Sequence, residues 1–215
     1  NMRFSMRSAM IIGFPCAVGI FSLAHPILSL LYRDPDRAAE VAAAAPTLHL
    51  MCLCIIFMSS LQTLTGILQG IDKQNVPVKN LAIGAVAKII ITYVFVGIKA
   101  INVNGAPLGT IAAYFVATVL NMRDIKKYSG VTFDFKMTFV KPFIASAVMG
   151  VCAFSSYKLL FMVTSSNDIA CLASILVGIA VYGVLILGLK AITKEEIAKL
   201  PKGDKLVRIL DKFIK

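Results

Sequence analysis

Lys88 stands near the middle of the apolar run Val78–Gly97. An unpaired ammonium at that depth of a membrane costs about 2.5–3.5 kcal/mol on insertion scales. A cavity that admits an anionic substrate would give the charge a use, with the lysine acting as a point charge for phosphate. The alternatives are a stem that snorkels to the interface, or pairing with a carboxylate beyond this stretch of chain. No Asp or Glu lies within any of the apolar blocks to neutralise it.

Other polar residues recur at helical steps. The second block carries Ser59, Gln62, Gly66 and Gln69, the third Asn80, Gly84, Lys88 and Thr92, and the fourth Thr110, Tyr114, Thr118 and Asn121. In the first, Ser22, Pro26 and Ser29 share a face with His25 beside them. Three- and four-residue spacing puts each set on one stripe of a helix, and polar stripes in a membrane face protein or water. The candidate substrate-contacting residues are therefore Lys88, Asn80, Gln62, Gln69, Thr92 and Tyr114. The fifth and sixth blocks are plainer, with Ser155, Ser156 and Tyr182 scattered along them.

The elements that must position these side chains are transmembrane helices. The chain has 215 residues, 58% of them hydrophobic, with 15% charged and no Trp; its mean hydropathy is +0.83. A water-soluble protein of this size could not bury so much apolar surface. Six blocks are each long enough to cross about 30 Å of hydrocarbon as helix. They run from about Met10 to Tyr32, Pro46 to Gly70, Val78 to Gly97, Gly105 to Met122, Phe139 to Val163 and Ile169 to Leu189. Six long blocks also exclude a signal peptide. The fold class is all-α, a polytopic helix bundle.

The net charge of +11 sets orientation rather than marking a nucleic-acid binder. Arg3, Arg7, Lys73, Lys79, Arg123, Lys126, Lys127, Lys136, Lys141 and the tail from Lys190 alternate to one side. The other side holds Arg33, Arg37, Lys99 and Lys158 with Asp34, Asp36, Glu40 and Asp168. The positive-inside rule makes the first side, including the C-terminus, cytoplasmic. The domain reading is a cytoplasmic segment 1–8, four striped spans over 9–122, a basic cytoplasmic loop 123–138, two peripheral spans over 139–192 and a cytoplasmic tail 193–215. In that tail Thr193 and Glu196 fit a capping box. Leu206, Ile209, Leu210, Phe213 and Ile214 then share a face opposite lysines, an amphipathic helix suited to anionic inner-leaflet lipids.

Several features carry less. Cys16, Cys52, Cys54, Cys152 and Cys171 all fall in apolar blocks and read as packing residues; Cys52 and Cys54, two apart, point in nearly opposite directions on a helix and do not share a metal. Gly66 and Gly70, and Gly105 and Gly109, have the spacing that permits close helix contact. Pro15 and Pro26 are expected to bend the first span. His25 and His49 read as packing residues rather than proton relays. A membrane enzyme would need interfacial His, Asp or Glu clusters, whereas the longest loop offers Asp124 and Asp134 among lysines. No enzymatic activity, cofactor or metal is expected.

The run Leu64-Thr-Gly-Ile-Leu-Gln-Gly70, followed by Lys73 and Pro77, resembles the tenth span and following loop of bacterial polysaccharide flippases. Lys88-Ile-Ile-Ile-Thr-Tyr93, Asn102-Val-Asn-Gly-Ala-Pro-Leu-Gly-Thr110, Phe14-Pro-Cys-Ala-Val-Gly19 and Leu200-Pro-Lys-Gly203 are similar to stretches of the stage V sporulation protein B and MurJ-like group. The resemblance covers essentially the whole chain. It places the chain in the superfamily of multidrug and oligosaccharidyl-lipid exporters, whose members have about fourteen spans in two six-helix lobes, often with a final pair added. By that resemblance the six spans are the ninth to fourteenth: most of the second lobe, then the last two helices. The chain, beginning Asn-Met-Arg, reads as the C-terminal part of such a protein.

The resemblance implies a flippase for a lipid-linked oligosaccharide or peptidoglycan precursor in the bacterial cytoplasmic membrane. Its partners would be a polyprenyl-pyrophosphate-linked glycan and the N-terminal lobe of the same protein, and the fifth and sixth spans would border a groove for the lipid tail. The alternative is a cation-coupled multidrug or metabolite exporter of the same superfamily. The well-known cavity arginines of the lipid II flippase group lie largely outside this stretch, so no substrate-binding residue is carried over from the resemblance.

Overall fold

The computed structural model describes residues 2–32, 38–98 and 104–189. The amphipathic tail and the capping box at Thr193 lie outside the described residues, as do Arg33, Arg37 and Lys99. Seven α-helices are described: α1 Met2–Ser22, α2 Ala24–Leu31, α3 Ala38–Gln69, α4 Asn75–Val96, α5 Gly105–Ser129, α6 Lys141–Thr164 and α7 Asn167–Gly188. A π turn over Lys136–Val140 leads into α6. Six helices are long and apolar enough to cross a membrane, α6 counting together with its π turn. No strand occurs among the described residues.

The apolar blocks set the spans, and local chemistry sets their ends. α1 begins at Met2, well before the block that starts at Met10, because Met6 and Met10 are fully buried and Arg7 nearly so. The first span then breaks at Leu23, three residues before Pro26. Proline has no N–H to give the carbonyl four residues back, and its ring collides with that carbonyl, so the ladder fails at Ser22. Pro15 sits inside a continuous α1, so of the two prolines the second interrupts the span. α5 runs on past Met122 to a left-handed cap at Gly130, whose φ is 66°. Asp134 then starts the next span, its Oδ1 accepting from the backbone N–H groups of Lys136 and Met137 at 3.0 and 3.3 Å, an N-cap contact. The ladder widens to i→i−5 just before Pro142, which again lacks a donor.

The helices form a row in the order α4, α5, α3, α1, α6, α7, each packed mainly on its neighbours. The short α2 turns back between α3 and α7. The main core lies where α1, α3 and α5 meet: Met6, Met10, Phe14, Leu64, Leu68 and Ile125 are buried together. Ile71 and Val76 from the α3–α4 turn, and Val131 and Phe133 from the α5–α6 connection, pack against the same cluster. Lys73 and Lys127 lie over the ring of Tyr128, at 5.4 and 5.6 Å. Both connections therefore share one end of the row, with its cluster of lysines and arginines. At the opposite end Asn167 Nδ2 donates to the Pro26 carbonyl at 3.2 Å, and Tyr157 Oη donates to Asn167 Oδ1 at 2.8 Å.

Candidate functional site

The polar stripes do not converge on one surface. On α4, Asn80 and Gly84 are buried against α5. Asn80 Nδ2 donates to Asn121 Oδ1 at 2.9 Å and to Asp124 Oδ2 at 2.7 Å, and Asn121 Nδ2 reaches Thr65 Oγ1 at 3.5 Å. This knot ties α3, α4 and α5 together near the basic end. A Cβ at Gly84 would lie 2.6 Å from the Ala113 carbonyl oxygen, so the two backbones nearly touch. Thr92 meets α5 at Gly109, and its buried Oγ1 has no hydrogen-bond partner among the described residues.

Lys88 belongs to the same stripe and behaves differently. Its backbone carbonyl faces Gly109, while its long side chain is exposed. On α3 the stripe also divides. Ser59 packs against Gly13 of α1, whereas Gln62 and Gln69 are exposed. Gly66 stands open, with nothing within 4 Å of a Cβ placed there, so the expected Gly66–Gly70 helix contact is not made. The other pair is used in close packing: a Cβ at Gly105 would meet the Val96 backbone at 2.7 Å. On α5, Tyr114 is half-buried, Thr118 Oγ1 donates to the Phe57 carbonyl at 3.2 Å, and Thr110 Oγ1 donates to its own helix at 3.1 Å.

Of the six candidates, Asn80 and Thr92 are thus engaged between helices, Tyr114 is partly covered, and Lys88, Gln62 and Gln69 are open. Of the two acidic residues expected in the longest loop, Asp124 lies within α5 and accepts from Asn80, and Asp134 accepts from backbone N–H groups. Among the described residues no cluster of His, Cys, Asp or Glu could hold a metal. Cys52, Cys54 and Cys171 are buried, Cys152 is half-buried and Cys16 is exposed.

One feature had no signal in the stripes. An open-sided cavity of about 500 Å³ lies between α1, α3, α5 and the start of α6. Its walls include Phe14, Phe57, Phe115, Phe139 and Phe143. The rings of Phe57 and Phe115 meet edge to face at 5.4 Å, and those of Phe14 and Phe143 at 5.9 Å. These phenylalanines come from four apolar blocks, so no periodicity within one block marks them.

The sequence of the chain is similar to that of known membrane proteins. The MatE family model matches residues 2–94. The chain is 29% identical to the lipid II flippase MurJ of Bacillus subtilis (strain 168) over 68% of its own length, and 22% identical to stage V sporulation protein B of the same organism over 96%. These matches make it similar to members of the MurJ-like exporter superfamily. The match spans 26% of the first relative of this superfamily and 38% of the second, so the chain covers well under half of either. No solved structure matches it. The superfamily is one of membrane transporters, in keeping with the six apolar helices.

Proposed function

We propose that the chain is the C-terminal part of a flippase that moves a lipid-linked oligosaccharide or peptidoglycan precursor across the bacterial cytoplasmic membrane. The carrying observation is the exposed Lys88 at mid-span. An ammonium at that depth needs water or an anion, and a pyrophosphate headgroup is such an anion. Gln62 and Gln69 offer amide donors and acceptors for sugar hydroxyls. Asn80 and Thr92 act indirectly, by holding α4 in place. The basic end is cytoplasmic by the positive-inside rule, and the open face of α3 and α4 meets an N-terminal lobe. The two lobes rock about a cavity formed between them in alternating access. The names and overlap of the two relatives support the lipid-linked substrate class.

The test is native mass spectrometry of the full-length protein, gently extracted, combined with a transport assay on Lys88→Gln. The expected result is a co-purified polyprenyl-pyrophosphate glycan that is lost in the variant, with transport impaired and membrane insertion intact. Unchanged transport removes the role of Lys88. Absence of such a lipid, with cation-dependent efflux of small organic cations, assigns the protein to the multidrug branch instead.

A further inference from the structure

We infer that the phenylalanine-walled cavity is a binding site for one acyl chain of an anionic glycerophospholipid, whose phosphate is held by Lys126 and Lys136. The volume of about 500 Å³ lies within the range of ligand pockets, about 300–1,000 Å³. Its chemistry selects hydrocarbon. The two hydroxyls on its wall are already spent, Ser60 Oγ on the Ile56 carbonyl at 2.9 Å and Thr118 Oγ1 on the Phe57 carbonyl at 3.2 Å. No headgroup would find an unused partner inside.

The charges lie at one end. On α5, Phe115, Val119 and Met122 face the cavity, and Lys126 continues that face one turn further toward the basic end. On the second wall Phe139, Val140 and Phe143 line it, and Lys136 lies one turn before them. Both lysines are exposed. Asp134, the nearby carboxylate, is turned to the backbone N–H groups of Lys136 and Met137. An apolar slot with an exposed lysine one turn beyond each of two walls is complementary to a lipid with a negative headgroup. Depth favours a lipid of one leaflet. From Lys126 to Phe115 the helix rises about 16 Å, close to half of an approximately 30 Å hydrocarbon core. A polyprenyl tail would overrun it.

The test uses the full chain in phosphatidylcholine vesicles containing a small fraction of phosphatidylglycerol with a diazirine in its acyl chain. Both leaflets carry the probe, so the result does not depend on orientation or on transport. Photolysis and peptide mapping should concentrate adducts on residues 115–122 and 139–143. Lys126→Gln with Lys136→Gln should lower that labelling about thirtyfold, since each lysine near the surface contributes about 1 kcal/mol to anionic-lipid attraction. A diazirine phosphatidylcholine should label the same segments weakly in both proteins. Val119→Trp, which fills the cavity, should abolish the adducts; if that variant does not fold, the surface lysine pair decides. Equal labelling by the two phospholipids overturns the proposal, and so does displacement of the phosphatidylglycerol probe by a polyprenyl phosphate.

Discussion

The amide of Asn80 on α4 donates at 2.7 Å to the carboxylate of Asp124 on α5, and at 2.9 Å to Asn121 on the same helix. Asn80 is buried and Asn121 fully so. A hydrogen bond to a charged acceptor is worth about 1.5–3 kcal/mol, and a buried partner left alone costs about as much. Asn80→Ala should therefore destabilise the protein by about 1–3 kcal/mol, read as a shift in reversible unfolding in mixed micelles. Asn80→Asp, which sets two carboxylates together, should cost more. A variant as stable as the parent would show that the knot carries no weight.

Gly84 and Gly66 make a matched pair of tests. The first has the Ala113 carbonyl oxygen where a Cβ would go, at 2.6 Å, and the second has open space. Gly84→Ala should lose about 1–3 kcal/mol through overpacking against backbone that cannot yield. Gly66→Ala should stay within about 0.5 kcal/mol of the parent. The reverse order would mean that α4 and α5 do not approach as described.

Lys88→Cys, in a protein otherwise free of cysteine, reports whether this side chain meets water. A thiol reacts as its thiolate, which needs an aqueous environment. A charged, water-soluble thiol reagent should modify position 88 about tenfold faster than cysteines at Val86 or Ile90, which are 57% and 58% exposed on an otherwise apolar helix. Equal rates at all three would place Lys88 in lipid.

Tyr182 of α7 donates its hydroxyl to the Ile11 carbonyl of α1 at 2.6 Å. Tyr182→Phe removes the donor and leaves the packing, and should cost about 1 kcal/mol in the same unfolding assay. A loss several times larger would indicate that the ring position itself depends on the bond.

Pro26→Ala restores the N–H that the Ser22 carbonyl lacks. Amide exchange around Leu23 should slow as α1 and α2 join into one helix. Unaltered exchange would assign the break to Asn167, which holds the Pro26 carbonyl from the far side.

The six spans were legible because block length and apolarity are local properties, and Pro26 announced its own break. What escaped was decided by neighbours. Residues 2–8 hold Arg3, Ser5, Arg7 and Ser8 and read as a polar prelude, yet Met6 is buried in the core and carries the helix back to Met2. Asn80, Gly84, Lys88 and Thr92 were placed on one stripe correctly as geometry. A step of four residues drifts about 40° around a helix, and a short amide is caught between helices where a long lysine chain escapes. Which stripe faces protein and which faces a cavity depends on the order α4, α5, α3 in the row, and no spacing within one helix encodes that order.

The order of the row also bears on how the chain is made. α4 is followed by α5 in synthesis, but it docks on α5 and hardly on the preceding α3. Asn80, Gly84 and Thr92 all find their contacts on α5. When α4 leaves the ribosome, its amide and its lysine have no protein surface to meet. At about 5–20 residues per second the connection and the 25 residues of α5 follow within a few seconds. Through that interval the newborn hairpin depends on the insertion machinery for a polar refuge, and the span bearing the exposed mid-membrane Lys88 is the one that waits.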